Sequence, residues 1–383
     1  MKGTCGTPAI LHAPDTREKL ALLSEASQYD LACACGTNDR DRRHRGNDGT
    51  WLYPVALPRG GYSVMLKTLL SNACVNDCGY CPYRTGADVR RCTIAPEDMA
   101  RVFLDYVRAH KVFGLFLSSG VIGSPDHTME LMNATARILR RTHGFRGYIH
   151  LKVLPGASDA AIEETLSLAS AVSVNIETPG EERFAKLSTR KRYLQDIIRP
   201  LRRISALTAR GERHARVKQT TQFIVGASDE TDAEIVKYTH ALYERLRLDR
   251  VYFSAYQRGL GAPEIPGERA PEADVLMREH RLYQVDFLFR RYGFGLDDIL
   301  FDAGGKLSLG EDPKQLWADA HPGFFPVDIH AAPRETLLRV PGIGPAAADR
   351  IIALRARGRL RDPADFKVRG KRRERILGYV RFE

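Results

Sequence analysis

No apolar run in the 383 residues approaches the ~20 that a membrane-spanning helix requires. The opening stretch, Met1-Lys2-Gly3-Thr4-Cys5, lacks the long apolar core of a secretory signal. Both absences lead to the expectation of a cytoplasmic protein with no membrane contact. Cysteine is sparse and odd in number: Cys5, Cys33, Cys35, Cys74, Cys78, Cys81 and Cys92. An odd count in a large chain without a signal argues against a disulfide framework. With 43% hydrophobic and 27% charged residues, the composition excludes a disordered or collagen-like chain. Basic residues are concentrated at one end. From Arg350 to Glu383 there are 12 basic and 4 acidic residues, a net of +8 out of +11 for the whole chain. A basic block on a near-neutral body suggests a nucleic-acid-binding appendage, with a solvated basic tail as the alternative.

At about 150 residues per domain, the length allows two domains and a small third. Residues 1–60 read as an N-terminal extension: an amphipathic stretch over Thr16–Ala32, then a polar, basic loop from Gly36 to Gly46. From Tyr62 each short β-rich run is followed by a helical pattern. Strands are expected at Tyr62–Leu70, Val112–Ser118, Gly147–Val153, Ala171–Glu177, Arg216–Val225 and Arg250–Tyr256. Helices are expected at Pro96–His110, His127–His143, Ser158–Ala169, Lys191–Ala209, Asp229–Leu246 and Pro271–Arg291. Six βα units imply a parallel sheet with helices outside it. The fold class is α/β, and a doubly wound sheet competes with a partial (βα)6 barrel over 61–295. Alternation decides for the barrel. Tyr148, His150 and Lys152 alternate with Ile149, Leu151 and Val153, and Ser173, Asn175 and Glu177 alternate with Val172, Val174 and Ile176. A doubly wound strand is apolar on both faces, whereas a polar face implies a lined cavity. His150, Lys152, Tyr252 and Tyr256 are the inward candidates for substrate contact. Residues 296–330 read as a linker and 331–383 as a compact end domain.

Three of the seven cysteines fall within eight residues, Cys74-Val-Asn-Asp-Cys78-Gly-Tyr-Cys81, directly after the first strand. Thiolates favour iron–sulfur clusters and zinc. Structural zinc usually takes four ligands in paired spacings, and here only Cys92 could supply a fourth. Three thiolates on a four-iron cluster leave one iron open to an exogenous ligand. The C-x3-C-x2-C spacing, with Tyr80 before the third cysteine, resembles the radical S-adenosylmethionine enzymes. The resemblance implies a [4Fe–4S] cluster on Cys74, Cys78 and Cys81 and S-adenosylmethionine as cofactor. It puts methionine binding on Ser118, Ser119 and Gly120, where many members carry Gly-Gly-Glu. It puts ribose contacts on Asn175 and Glu177, a fifth-strand contact at Gln222, and Tyr80 near the adenine. Cys5, Cys33, Cys35 and Cys92 form no second well-spaced set and read as structural thiols.

Near the C-terminus two helical patterns flank Val340-Pro341-Gly342-Ile343-Gly344. Such a turn directs backbone N–H groups outward at the start of the next helix, an arrangement that binds phosphate without base preference. Ala346, Ala347 and Ala348 would let the helices approach, around Ile343 and Ile351. The pattern resembles the helix-hairpin-helix motif of DNA repair and replication proteins, with Pro341, Gly342, Ile343 and Gly344 as DNA contacts. A protein-interaction hairpin is the alternative. A degenerate second copy is expected from Pro363 through Gly370 to Tyr379. Barrel and hairpin together resemble DNA modification/repair radical S-adenosylmethionine proteins whose genes sit beside a uracil-DNA-glycosylase-like protein. That resemblance implies an enzyme acting on DNA, held as duplex by its backbone. It also implies a reducing donor such as flavodoxin or ferredoxin, with the glycosylase-like protein as a partner. RNA modification and a non-catalytic iron–sulfur DNA-binding protein are the alternatives. No catalytic residue, base or transferred group is assigned.

Overall fold

The structure, a computed structural model, describes residues 14–29, 44–45, 51–56 and 61–382. Cys5, Cys33, Cys35 and most of the polar loop lie outside the described residues. In chain order the strands are β1 (His44–Arg45), β2 (Trp51–Ala56), β3 (Tyr62–Leu69), β4 (Gly114–Ser118), β5 (Tyr148–Lys152), β6 (Ala171–Ser173), β7 (Lys218–Val225), β8 (Arg250–Ala255), β9 (Val327–Asp328) and β10 (Val380–Arg381). The helices are α1 (Thr16–Ala26), α2 (Pro96–Arg108), α3 (Pro125–Arg137), α4 (Asp159–Leu168), α5 (Glu181–Leu187), α6 (Arg199–Leu207), α7 (Asp232–Leu246), α8 (Glu272–Tyr292), α9 (Pro313–Ala320), α10 (Arg334–Arg339), α11 (Pro345–Arg355) and α12 (Gly370–Leu377). The βα alternation expected from Tyr62 onward is therefore the one found. The fold is α/β. Among the described residues no helix is long and apolar enough to cross a membrane.

The chain divides into two compact units. In the first, β3, β4, β5 and β6 pair in parallel, and β1 and β2 add antiparallel strands before β3. Leu66, Leu115, Leu117, Ile149, Leu151 and Val172 occupy one face of this sheet and are fully buried. They form the core against the helices. The expected helix Lys191–Ala209 is split into a π-turn over Tyr193–Ile198 and then α6. Pro200 lacks an N–H and so cannot continue a regular ladder from the preceding turn.

The second unit comprises residues 175–187 and 220–382 among those described. Here β7 pairs with β8 in parallel from Thr220↔Arg250 to Val225↔Ala255. Along α8 the fully buried Asp286 accepts from Tyr243 and Arg290 and so carries a compensated charge. The stretch read as a linker contains α9 and β9, and β9 pairs in parallel with β10. Val327, Leu337, Val340, Ile343, Ile351 and Phe366 belong to one buried cluster at this end. Ala347 and Ala348 belong to it as expected. Ala346 does not. It is exposed, because one turn of α11 cannot direct three successive residues to the same side.

Candidate functional site

The cysteine loop joins β3 to α2 in the first unit, and one side chain ties its two ends together. Arg91 donates from Nη1 to the carbonyls of Asn72 (2.6 Å) and Tyr83 (2.8 Å). Its Nη2 donates to Arg84 (2.9 Å) and Ala87 (3.1 Å). Asn72 adds a second tie, accepting from Cys92 N–H at 2.8 Å and donating to the Arg90 carbonyl at 2.9 Å. In the loop itself Asp77 accepts from Ser188 Oγ (2.5 Å) and from Thr189 N–H (3.0 Å) and Oγ1 (2.5 Å). Arg190 donates to the Val75 carbonyl at 2.6 Å. Burial alone would raise the Asp77 pKa, but the bonds from Ser188 and Thr189 hold it at about 2.

The donor set suits an electron-poor metal centre. Cys74 Sγ accepts two backbone N–H bonds, from Asn76 at 3.4 Å and Val121 at 3.3 Å. Burial, then the neighbouring Cys78, pushes the Cys81 thiol up to about 12, with Cys74 adding to the effect. Ionising that thiol near neutral pH requires a positive centre beside it. Among the described residues no three His, Cys, Asp or Glu side chains converge as a single-ion site. Cys92 donates to the Lys19 carbonyl on α1, with its pKa raised by burial.

The segment after β4 runs beside the start of this loop. Leu70 N–H donates to Ser118 O (2.8 Å), Gly120 N–H to Ser71 O (2.7 Å) and Val75 N–H to Val121 O (3.0 Å). A Cβ on Gly120 would lie 2.4 Å from the Ala73 carbonyl, so only glycine fits there. Ser118, Ser119 and Gly120 are thereby brought to the cysteine loop.

The face of the first sheet opposite its aliphatic core is polar and aromatic. Lys67, Phe116 and His150 are register partners on β3, β4 and β5. The Lys67 ammonium lies 4.9 Å from the Phe116 ring centre and 5.4 Å from that of Tyr53. The Phe116 and His150 rings are 4.4 Å apart, and His150 Nε2 and Ser173 Oγ share a hydrogen bond of 3.0 Å. Lys67 was not among the inward residues read from the sequence, because β3 otherwise reads as an apolar run.

The expected strand over Ala171–Glu177 ends at Ser173. Thr221 Oγ1 accepts the Ile176 N–H at 3.0 Å, and this side-chain bond takes the place of a ladder bond. Glu177 then adopts a left-handed conformation, φ +64°, and forms an isolated bridge with Phe223. Its N–H donates to Gln222 O (3.0 Å), and Ile224 N–H donates to its carbonyl (2.8 Å). Asn175 Nδ2 donates to Glu177 Oε2 at 3.5 Å. Asn175, Glu177 and Gln222 are thus neighbours in the second unit, with Glu177 and Gln222 buried.

Sequence reasoning missed Glu230. Its carboxylate accepts from Gly226 N–H (2.6 Å) and from Ser228 N–H (3.1 Å) and Oγ (2.6 Å), and it pairs with Arg278 (3.4 Å). Burial raises its pKa, with Arg278 opposing. The signal available was Gly226 followed four residues later by a carboxylate, the spacing of a loop closed on its own side chain. Tyr256 donates to Glu268 and accepts from Gly261 N–H at 2.9 Å, so its hydroxyl serves the loop after β8.

At the C-terminal end, the turn before α11 carries Gly342 at φ +89°. A Cβ there would lie 2.8 Å from Ile376, and one on Gly344 would lie 3.0 Å from the Tyr292 hydroxyl. Gly342 thus packs against α12 and Gly344 against the end of α8. Arg372 Nε donates to Gly342 O and Lys314 Nζ to Ile343 O, each at 2.6 Å.

Residues 68–242 match the family model of the Radical SAM superfamily. This stretch therefore matches a radical SAM domain, and enzymes of that superfamily work with a [4Fe–4S] cluster and S-adenosylmethionine. No curated protein sequence matches the chain. Among solved structures it is similar to the FeFe-hydrogenase maturase HydG from Carboxydothermus hydrogenoformans, at 14% identity and TM-score 0.47, over 59% of this chain and 52% of that one. It is also similar to methylornithine synthase (PylB), at 12% identity and TM-score 0.45, over 58% and 62%. A third is anSMEcpe with bound AdoMet, at 13% identity and TM-score 0.39, over 59% and 61%. The chain thus spans between half and about three fifths of the length of these structures.

Proposed function

We propose that the protein is a radical S-adenosylmethionine enzyme acting on DNA, in modification or repair, with its C-terminal end as the DNA-binding part. Cys74, Cys78 and Cys81 would hold the cluster, and Ser118, Ser119, Gly120, Asn175, Glu177, Gln222 and Tyr80 would contact S-adenosylmethionine. When bound, with one electron from a donor such as flavodoxin or ferredoxin, these groups supply a 5′-deoxyadenosyl radical that takes hydrogen from the substrate. The chain's own part is to position and to exclude. Arg91 and Asp77 fix the loop that carries the thiols, and the aliphatic face behind Lys67, Phe116 and His150 keeps water from the sheet.

The observation that carries the DNA reading is the net +8 of the last 34 residues on a chain of +11 overall. Just before that block the turn at Pro341, Gly342, Ile343 and Gly344 opens α11, and backbone N–H groups at a helix start can donate to phosphate. The helix-hairpin-helix reading, and a glycosylase-like partner, rest on the resemblance in sequence. The test is a gel-shift titration of full-length protein with duplex DNA, duplex RNA and tRNA at two salt concentrations. Tighter, salt-sensitive and sequence-independent binding of duplex DNA supports the reading. Preference for tRNA overturns it in favour of an RNA substrate.

A further inference from the structure

The near-neutral part of the chain contains a second basic block. Between Ser188 and Lys218 there are 10 basic and 2 acidic residues, a net of +8 in 31. The start of this block is bonded to the cysteine loop of the same unit. Ser188 and Thr189 hold Asp77, and Arg190 holds the Val75 carbonyl. Lys191 lies near enough to Cys81 for its charge to act on that thiol. We propose that the surface formed by Val75, Arg192, Leu194 and Arg202 is the docking face for an acidic one-electron carrier protein. The proposal rests on the radical S-adenosylmethionine reading for the need of an electron, and on the face itself for the chemistry of the partner.

The centre of this face is apolar and its rim is cationic. Leu194, in the π-turn before α6, is 55% exposed, and Val75, between the first two thiols, is 37% exposed. Beside Leu194 opens a cavity of about 450 Å³, walled also by Asp159, Ile198, Arg199, Arg202 and Arg203. Three guanidinium groups there meet one carboxylate. Arg199 and Arg203 share Asp159, the latter at 3.3 Å, and Arg203 also reaches Glu163 at 4.0 Å. Arg202 forms no ion pair among the described residues, and Arg192 reaches only Asp196, at 3.7 Å. Arg190, Arg192 and Arg202 are all exposed.

An apolar centre inside a charged rim is the anatomy of a protein interface, and arginine is enriched in such patches. A nucleic-acid backbone would match the guanidinium groups but would leave Leu194 and Val75 without an apolar counterpart. A carrier with carboxylates around an apolar patch matches both. Opposite fields speed the encounter without requiring tight binding, which suits a carrier that must leave after each delivery. Position argues the same way. Electron transfer weakens steeply with distance, and this face is bonded to the loop that bears Cys74, Cys78 and Cys81. The step moves one electron from the reduced carrier to the cluster on that loop. The carrier leaves oxidised by one electron, and no bond is made or broken.

The experiment uses full-length protein and two probes, an acidic flavodoxin and an acidic ferredoxin. Binding to the metal-free protein is measured by calorimetry at low and high salt. Reduction of the reconstituted protein is followed by absorbance, with reduced carrier and separately with dithionite. R192S/R202S removes two rim charges and Leu194→Ser the apolar centre, and none of these side chains braces the cysteine loop. The expected result is salt-sensitive binding of a carrier by the wild type, weakened about tenfold in each variant. Reduction by carrier falls in step, while reduction by dithionite is unchanged. Wild-type carrier affinity in both folded variants, or binding of neither carrier by the wild type, would overturn the face. Loss of duplex-DNA affinity in R192S/R202S with carrier binding intact would overturn it in favour of a nucleic-acid surface. If the metal-free protein binds carrier in a variant-sensitive way but assembles no cluster, the face stands and the radical reading fails.

Discussion

Arg91 donates to the carbonyl of Asn72 at 2.6 Å, and the same guanidinium reaches Tyr83, Arg84 and Ala87 beyond the last thiol. This buckle closes the cysteine loop together with the backbone, where Asn72 N–H donates to Cys92 O at 3.3 Å and Ile94 N–H to Leu70 O at 3.0 Å. Arg91→Lys keeps the charge but cannot span four carbonyls, since an ammonium lacks the planar fork. Two or three lost bonds to a charged donor cost on the order of 2–5 kcal/mol locally. Reconstituted R91K is expected to hold less than half the wild-type iron, with an unchanged far-ultraviolet spectrum. Full iron content would mean the buckle is dispensable.

Asp77→Asn removes the charge that holds Ser188 and Thr189. Hydrogen exchange across residues 74–81 of the metal-free protein is expected to speed up, while exchange in β4 and β5 stays the same. A loop equally protected in the variant contradicts this role.

Cys78→Ala is expected to abolish cluster assembly, because two thiolates cannot ligate the three irons that need protein ligands. Cys92→Ala is expected to leave iron unchanged, since that thiol faces the Lys19 carbonyl. Iron analysis and the sulfur-to-iron absorption band check both.

Glu177→Ala is expected to weaken S-adenosylmethionine binding about 5- to 150-fold, for about 1–3 kcal/mol of lost hydrogen bonding. Because Glu177 sits at φ +64°, Glu177→Gly is the better control: it relieves the backbone while still deleting the carboxylate. Equal losses in both variants assign the effect to the side chain. Recovery in Glu177→Gly would assign it to backbone geometry instead.

Burial, opposed by Asp312 and reinforced by Arg372 and Arg339, holds the Lys314 ammonium at about 7. The Tyr292 phenol facing it has its own pKa raised by burial, so it stays neutral in this range. Lys314 therefore loses its proton as pH rises through 7. The unfolded lysine titrates near 10.4, so between about 7 and 10 the unfolded chain binds the extra proton. Stability is expected to rise with pH across that window. Lys314→Met should flatten this dependence, read by thermal unfolding.

Much of this was legible in the sequence because periodicity reports burial. The aliphatic set Ile149 and Leu151 is fully buried, and the polar alternates Tyr148, His150 and Lys152 share the other face, so six βα units could be counted. The C-x3-C-x2-C spacing is local and survived intact. What could not be read depends on side chains that replace backbone partners across long separations. Thr221 takes the Ile176 N–H from 45 residues away and ends β6 early. Arg91 looked like one surface arginine among many, and its four carbonyl partners exist only once the loop is closed. The stretch before the hairpin carries prolines at Pro313, Pro322 and Pro326 and so read as a linker. Pro313 instead opens α9 at its first turn, where a missing N–H costs nothing.

The most direct test of the central claim is anaerobic turnover. Reconstituted full-length protein is incubated with reductant and S-adenosylmethionine, with and without duplex DNA, and 5′-deoxyadenosine is quantified alongside the mass of the DNA. The expected result is 5′-deoxyadenosine formation that duplex DNA stimulates, with a mass change on the DNA and neither signal in Cys78→Ala. Cofactor cleavage that duplex leaves unchanged but tRNA accelerates, or no cleavage with a full cluster in place, would contradict it.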